Sequence, residues 1–166
     1  AIAPKLDGIG LLDYVSGWYL KAAQHIQNTR TKVAFVSTNS ITQGEQVGAL
    51  WNVLVHYYQI KIHFAHRTFK WNNEARGIAA VHCVIIGFAH FDTKIKFIFD
   101  YQNISGEPSQ INAQNINPYL VDAANVVLLR RSKPLCSVSE IGIGNKPIDG
   151  GNYLFTTEEK TAFLEK

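Results

Sequence analysis

The sequence predicts an α/β protein whose sheet ends in an antiparallel hairpin. Three observations lead to this fold class. Helical and strand-like segments alternate along the chain, a short polar link joins two apolar strands, and 46% of the residues are hydrophobic. Parallel neighbours need a crossover of about a dozen residues or more, so a link of roughly ten polar residues favours antiparallel pairing. The 166 residues suffice for one packed core, or for a small domain and a piece of another.

The first three elements are predicted from the spacing of apolar residues. Residues 11–28 have the helical period, and Asp13 falls in the first turn of that helix, where the helix dipole favours an acid. Residues 32–38, KVAFVST, have the apolar, β-rich character of a strand that is buried on both faces. Residues 43–58 return to the helical period, with Thr42 as the predicted N-cap and Glu45 three residues later.

Three predicted strands and a change in amino-acid composition follow. Residues 60–65 alternate as a strand, residues 81–88 form a strongly apolar run, and residues 93–100 predict an edge strand. From residue 105 onward Gly, Pro, Asn and Ser become frequent, and the motif TTEEK predicts a final helix. We therefore expect a domain boundary near residues 105–110, which divides the chain into 1–105 and 106–166.

Composition excludes several classes of protein. A charged fraction of 17% and a mean hydropathy of −0.05 are typical of a soluble globular protein. No apolar run approaches the roughly 18 residues of a membrane-spanning helix, so no membrane partner is expected. The first ten residues do not resemble a secretion signal, and a cytoplasmic location is the default. The net charge of +3 permits binding to nucleic acid without requiring it.

Neither the cysteines nor the histidines predict a metal site. Cys83 and Cys136 are too few and too far apart for a disulfide framework or a zinc site. His63 and His66 lie three residues apart in a strand-like stretch, which would turn their side chains to opposite faces. We expect no bound metal.

Three blocks of sequence resemble consecutive parts of one enzyme family. They are LDYVSGWYLKAAQHI, KVAFVSTNSITQGEQVGALW and IKIHFAHRTFKWNNEARGIAAVHCVIIGFAHFD. In this order they are similar to the end of the class I methyltransferase domain of MmeI-like DNA adenine methyltransferases, which belong to restriction-modification proteins. The later segments INPYLVDAANVV, RRSKPL and GNKPIDGGNYLFTTEE are similar to the start of the target-recognition region. The resemblance implies the distal half of a Rossmann-like sheet in 1–105 and the beginning of an α+β target-recognition domain in 106–166.

The resemblance also bears on catalysis. In that family S-adenosylmethionine lies on a glycine-rich turn after the first strand, and a tetrapeptide of Asn or Asp, two prolines and an aromatic residue follows the fourth strand. Gly8-Ile9-Gly10 has no strand before it, and Asn117-Pro118-Tyr119 has one proline too few and predicts a turn. We therefore expect no catalytic residue here, no methylation or cofactor binding by this chain alone, a missing N-terminal half as its partner, and self-association through an unpaired strand.

The target base is the next expectation. A methyltransferase that modifies a base amine extrudes the base and holds it by hydrogen bonds and stacking. In related adenine methyltransferases an aromatic residue between the sixth and seventh strands covers that base. The matching link is HRTFKWNNEARG, so Phe69 is the first stacking candidate and Trp71 the second. Phe69 could instead cap the core, and Trp71 could pack on the surface. Asn39, Ser40 and Gln43 follow the strand at 32–38 and could line the pocket, although Asn39 and Ser40 could equally be turn residues before a helix.

Basic residues predict contact with double-stranded DNA, because Lys and Arg neutralise backbone phosphates. The candidates are Arg67, Lys70, Arg76, Arg130, Arg131, Lys133 and Lys146. Their alternative is an ordinary solvated surface. At the level of the whole chain, the alternative to a methyltransferase fragment is a stand-alone α/β module that binds DNA or a protein without chemistry.

Overall fold

The computed structural model describes residues 8–71, 81–131, 133–134, 136–138 and 154–165. The chain divides into two compact units, Ala1–Arg130 and Arg131–Lys166. The first unit therefore continues past the boundary expected near residues 105–110. No helix among the described residues is both long enough and apolar enough to cross a membrane.

A five-stranded sheet forms the centre of the first unit. Its strands are β1 Lys32–Thr38, β2 Lys61–Trp71, β3 Val81–Ala89, β4 Lys96–Asp100 and β5 Ser109–Ala113, in the spatial order β1-β3-β2-β4-β5. β3 runs antiparallel to both β1 and β2, β4 is parallel to β2, and β5 is antiparallel to β4. The carboxyl ends of β1, β2 and β4 consequently meet at one edge of the sheet.

Two helices, α1 Ser16–His25 and α2 Gly44–Asn52, pack on one face of this sheet. The α1 side chain Tyr19 is fully buried, with ring centroids 5.1 Å from Phe35 of β1, 6.1 Å from Trp51 of α2 and 5.5 Å from Phe88 of β3. The Trp51 indole donates a hydrogen bond to the carbonyl of Ile41. α2 continues into one π-helical turn, Val53–Tyr57. Aromatic packing thus fixes both helices to the sheet.

The opposite face carries an aromatic cluster, which we define as His66, Phe69, Trp71, Phe99 and Tyr101. Phe69 and Trp71 are two residues apart on β2 and share a face, and the irregularity of the strand between His66 and Phe69 allows His66 to share it although it lies three residues from Phe69. The rings of His66 and Phe99 stack at 4.2 Å, and those of Phe69 and Tyr101 stack at 5.4 Å. Both faces of the sheet are therefore apolar.

The first two predicted elements required correction. α1 begins at Ser16, and Asp13 lies before it, where its carboxylate accepts hydrogen bonds from Thr38 and Ser40 instead of occupying the first turn. β1 has the predicted bounds, but it is not buried on both faces, and Val36 is 47% exposed because the strand lies at an edge of the described sheet.

The later elements also differ from expectation. Thr42 does not cap α2; Gln43 holds that position, and the Thr42 hydroxyl donates to the carbonyl of Asn39. β2 runs on to Trp71, so much of the expected polar link is strand. β4 is an inner strand rather than an edge, because the unpredicted β5 covers it. The final helix is confirmed as α3 Thr157–Leu164, with a capping box between Thr156 and Glu159.

Candidate active site

A cavity of about 290 Å³ opens at the edge of the sheet where the parallel strands end. Its lining comes from the segment after β1, from within β2, from the last residue of β4 and from a later turn: Thr42, Gln43, Arg67, Thr68, Asp100, Tyr119 and Leu120. Ligands of open α/β sheets bind at the carboxyl ends of the strands. Of the residues expected to line a pocket or contact DNA, Gln43 and Arg67 lie here.

Arg67 makes two directed contacts at this cavity. Its Nε donates to the carbonyl oxygen of Leu120 at 3.0 Å, and its Nη1 lies 3.1 Å from Oδ1 of Asp100. The two charged side chains are 36% and 35% exposed. The guanidinium therefore joins the end of β4 to the turn that closes the cavity.

That turn spans residues 117–120, and its prediction from Asn117-Pro118-Tyr119 is confirmed. The Leu120 N–H donates to the Asn117 carbonyl at 2.9 Å, and the Asn117 side-chain oxygen accepts from the N–H of Tyr119 at 3.0 Å. Leu120 has φ 57°, in the left-handed region. The Tyr119 hydroxyl accepts a hydrogen bond from the N–H of Leu128. Side chains at both ends thus hold the turn.

Phe69 lies within β2, opposite Cys83 of β3, so its placement in a polar link was wrong. The ring is half-buried rather than sealed in the core, and it lies 6.1 Å from the ring of Trp71, which is 44% exposed. Neither aromatic is among the residues that line the cavity. They lie on the adjacent face of the sheet, near the same edge.

His66 is a member of the aromatic cluster that sequence reasoning did not connect with the site. Its Nδ1 lies 2.8 Å from the hydroxyl of Tyr101, and its ring is stacked on Phe99 with an interplanar angle of 10°. Burial lowers the pKa of His66, which favours the neutral imidazole. The alternation of rings along β2 and β4 was the signal that could have identified this group.

Asn39 and Ser40 do not line the cavity. The Asn39 amide donates to the hydroxyl of Thr68 at 3.3 Å, which ties the segment after β1 to β2. The Ser40 hydroxyl donates to Asp13, and this hydrogen bond is the largest of those that hold the pKa of Asp13 below its ordinary value. Both side chains therefore organise the rim of the site from outside the cavity.

The remaining predicted cations are spread along the chain. Lys70 is half-buried, and its backbone N–H donates to the carbonyl of Ile104. Arg130 forms a long, exposed ion pair with Glu45, with the charged atoms 3.5 Å apart. Arg131 and Lys133 are exposed residues of the second unit. Arg76 and Lys146 lie outside the described residues.

Metal ligation finds no support in the described ranges, which contain no cluster of three or more His, Cys, Asp or Glu side chains suited to an ion. His63 Nε2 lies 2.8 Å from the carbonyl of Phe91. Cys83 and Cys136 are free thiols, and burial raises the pKa of Cys83.

Comparisons with known proteins agree with this arrangement. Residues 2–100 match the family model described as the DNA-methyltransferase domain of MmeI, and residues 122–166 match the model of the MmeI target recognition domain. The chain is 44% identical to DNA methyltransferase A of Bacillus subtilis (strain 168) over 167 residues, which is all of this chain and 18% of that protein.

A solved structure is similar to the chain over nearly its full length. It is the type IIL restriction-modification enzyme MmeI in complex with DNA, and it is 54% identical, with a TM-score of 0.81. The match covers 97% of this chain and 22% of the solved one. The chain thus spans about one fifth of the length of these relatives.

Proposed function

The chain belongs to the MmeI DNA-methyltransferase family, and from this premise we propose that it is part of a site-specific DNA adenine methyltransferase of a restriction-modification system. Its contribution is a pocket for the target base and elements that contact DNA. The observation that carries this proposal is the cavity at the shared carboxyl edge of β1, β2 and β4, which combines amide, hydroxyl and guanidinium groups.

We propose that the sheet is the distal half of a Rossmann-like methyltransferase sheet. The position of β3, antiparallel between β1 and β2, supports this, because the resemblance implies a last strand inserted in that way. We assign residues 1–105 to the methyltransferase domain and residues 106–166 to the beginning of the target-recognition domain. The segment from β5 to Arg130 then packs with the methyltransferase domain although it belongs to the chain beyond it.

We assign the extruded adenine to the edge of the sheet that the cavity and the aromatic cluster share, with Gln43 of the cavity as a hydrogen-bonding group and Asn39 and Ser40 as supports of the rim. Phe69 and Trp71 are assigned as stacking residues. Tyr101 supports this role, since its ring backs Phe69 at 5.4 Å and leaves the Trp71 side partly open to solvent. A stacked base is worth roughly 1–3 kcal/mol, enough to hold an unpaired adenine for reaction.

DNA backbone contacts are assigned to cations that are exposed or half-buried. Lys70, Arg130, Arg131 and Lys133 are the described candidates, and Arg76 and Lys146 join them from the sequence. Their role is electrostatic, because one neutralised phosphate changes the salt dependence of binding without specifying a base.

S-adenosylmethionine is the cofactor that the family uses, and we propose that this chain alone neither binds it nor transfers methyl groups. No strand of the described sheet is followed in sequence by the glycine-rich turn that holds this cofactor in the family. The cofactor supplies the methyl group, and the N-terminal half of the methyltransferase domain supplies its site. The residues present here hold and orient the base.

The first test concerns Phe69 in a longer protein that carries this chain. Phe69→Leu keeps apolar bulk but removes the aromatic face, and we expect adenine methylation to fall by about 10-fold or more, as loss of base stacking predicts. Tyr57→Leu is the matched control, because Tyr57 is also a partly exposed aromatic in ring contact but lies in the π-helical turn that precedes β2. Equal activity of both variants and the wild type would remove Phe69 from the site.

A further inference from the structure

The outer wall of the cavity belongs to neither a helix nor a strand. It consists of Tyr119 and Leu120, in the turn at residues 117–120. Leu120 has φ 57° and its side chain is almost completely buried. A branched residue in the left-handed region costs about 1–3 kcal/mol and persists only where surrounding contacts impose it. The wall therefore depends on groups that hold Leu120 from outside the turn.

Arg67 is such a group. It reaches the Leu120 carbonyl with Nε and the Asp100 carboxylate with Nη1, at 3.0 and 3.1 Å. One rigid, planar group thereby joins β2, the last residue of β4 and the turn. A lysine ammonium is a single point charge on a flexible stem and does not reproduce a fork with two fixed directions.

These contacts change the expected role of the residue. A cation that neutralises DNA phosphate needs a free, solvated charge, whereas the charge of Arg67 is already opposed by Asp100. We propose that Arg67 is a positioning residue, which together with Asp100 fixes the turn at residues 117–120 as the wall of the cavity. The importance of this wall for methylation rests on the proposed function, but the clamp itself does not.

The clamp is tested in this chain by amide hydrogen exchange at Leu120, whose N–H is bonded within the turn. We expect Arg67→Lys, Arg67→Met and Asp100→Ala each to accelerate exchange at Leu120 by about 10-fold, the scale of one lost charge-assisted hydrogen bond. Exchange at Val84 and Ile86, buried in the inner strand β3, controls for global unfolding and should not change. Unchanged exchange at Leu120 in all three variants would overturn the proposal.

The role of the wall is tested in the longer protein. We expect Arg67→Lys to be as impaired in methylation as Arg67→Met, by about 10- to 100-fold, because small misplacements of a site are costly. The salt dependence of DNA binding should match that of the wild type. If Arg67→Lys is fully active and Arg67→Met lowers the salt slope by about 0.9, Arg67 contacts a phosphate and the proposal is wrong.

Failure of the proposed function would give a different experimental result from failure of the clamp. A wild-type longer protein that does not methylate adenine rejects that function, while exchange at Leu120 still decides whether Arg67 clamps the turn. Asp100→Ala separates the two roles further. This change frees the Arg67 charge. If Arg67 contacts a phosphate, DNA binding should be unchanged or tighter and methylation should persist. If Arg67 clamps the turn, methylation should be lost.

Discussion

His66 is a titratable side chain that packs within the aromatic cluster. His66 is flanked by the ring of Phe99 and the hydroxyl of Tyr101, and its pKa is lowered by burial. Protonation would place a positive charge where burial reduces its contact with water. His66 therefore stabilises the fold in its neutral form.

This gives a pH-dependent stability with a defined sign. A histidine whose pKa is lower in the folded state contributes stability that is fully present above the unfolded pKa of about 6.5 and is lost as the pH falls below it. We expect the melting temperature of the chain to fall between pH 7 and 5, and the fall to be smaller in His66→Phe, which keeps the stack on Phe99. Parallel melting curves for the two proteins over this range would contradict the assignment.

At the scale of elements, two glycines mark close approaches of the backbone. Gly48 of α2 faces the segment at residues 126–130, and an added Cβ would lie 2.7 Å from the carbonyl oxygen of Leu128. In β3, a Cβ at Gly87 would lie 2.0 Å from the ring of Phe64. Glycine is required at both positions because no side chain fits, and not because of an unusual φ.

Gly48→Ala is expected to lower the free energy of unfolding by about 1–3 kcal/mol, since backbone atoms must move to accept the methyl group. Gly17→Ala in α1 is the matched control, because no atom lies within 4 Å of its added Cβ. That change should stabilise the chain by up to about 1 kcal/mol through helix propensity. Urea denaturation measures both, and shifts of the same sign would refute the close approach.

Gly87→Ala is expected to cost about 1–3 kcal/mol through overpacking against Phe64. Phe64→Ala removes the obstructing ring, so the double variant should be more stable than the sum of the two single effects predicts. A double-mutant cycle in urea measures this coupling. Additive effects would mean that Phe64 is not the residue that excludes a side chain at Gly87.

The sequence predicted some elements better than others for physical reasons. β1 and β3 have strong apolar, β-rich runs, and both were located within about one residue of their bounds. The predicted strand at residues 60–65 ended before the observed β2 does, because Arg67 and Thr68 interrupt the apolar pattern. β5, with the sequence SQINA, was missed because only Ala113 is buried and no apolar alternation marks it.

Sequence reasoning found only those residues of the cavity whose position depends on one strand. Gln43 comes after β1, so the rule for strand ends found it, and Arg67, which lies within β2, was found as a basic residue. Asp100, Tyr119 and Leu120 reach the cavity through the lateral order of β2, β4 and β5, which the sequence does not encode locally. Phe69 was assigned to a link because the extent of β2 was unknown.

For the whole molecule, the exposed edge of the sheet determines behaviour in isolation. Within the part of the first unit that the structure describes, β1 pairs with β3 on one side and with no strand on the other. Val36 on β1 is 47% exposed. An unpaired strand with exposed apolar side chains is a template for pairing with another chain. The proposed N-terminal half of the domain would normally cover this edge.

Self-association of the isolated chain should therefore depend on β1. We expect light scattering to show dimers or larger species at high concentration, and Val36→Lys to reduce them, because charged residues on an edge strand oppose pairing. Ile95→Lys is the control, since Ile95 is also exposed, at 66%, but lies outside the strands. A monomeric wild type, or equal effects of the two lysines, would exclude association through β1.

The location of β3 also constrains how the protein is made. β1 and β2 are not paired with each other, because β3 lies between them and pairs with both, and β3 is the last of the three to leave the ribosome. Neither earlier strand can complete its ladder until residue 89 has emerged. During synthesis β1 must wait for about 50 residues of further translation and β2 for about 20, a delay that favours slow assembly of non-local contacts.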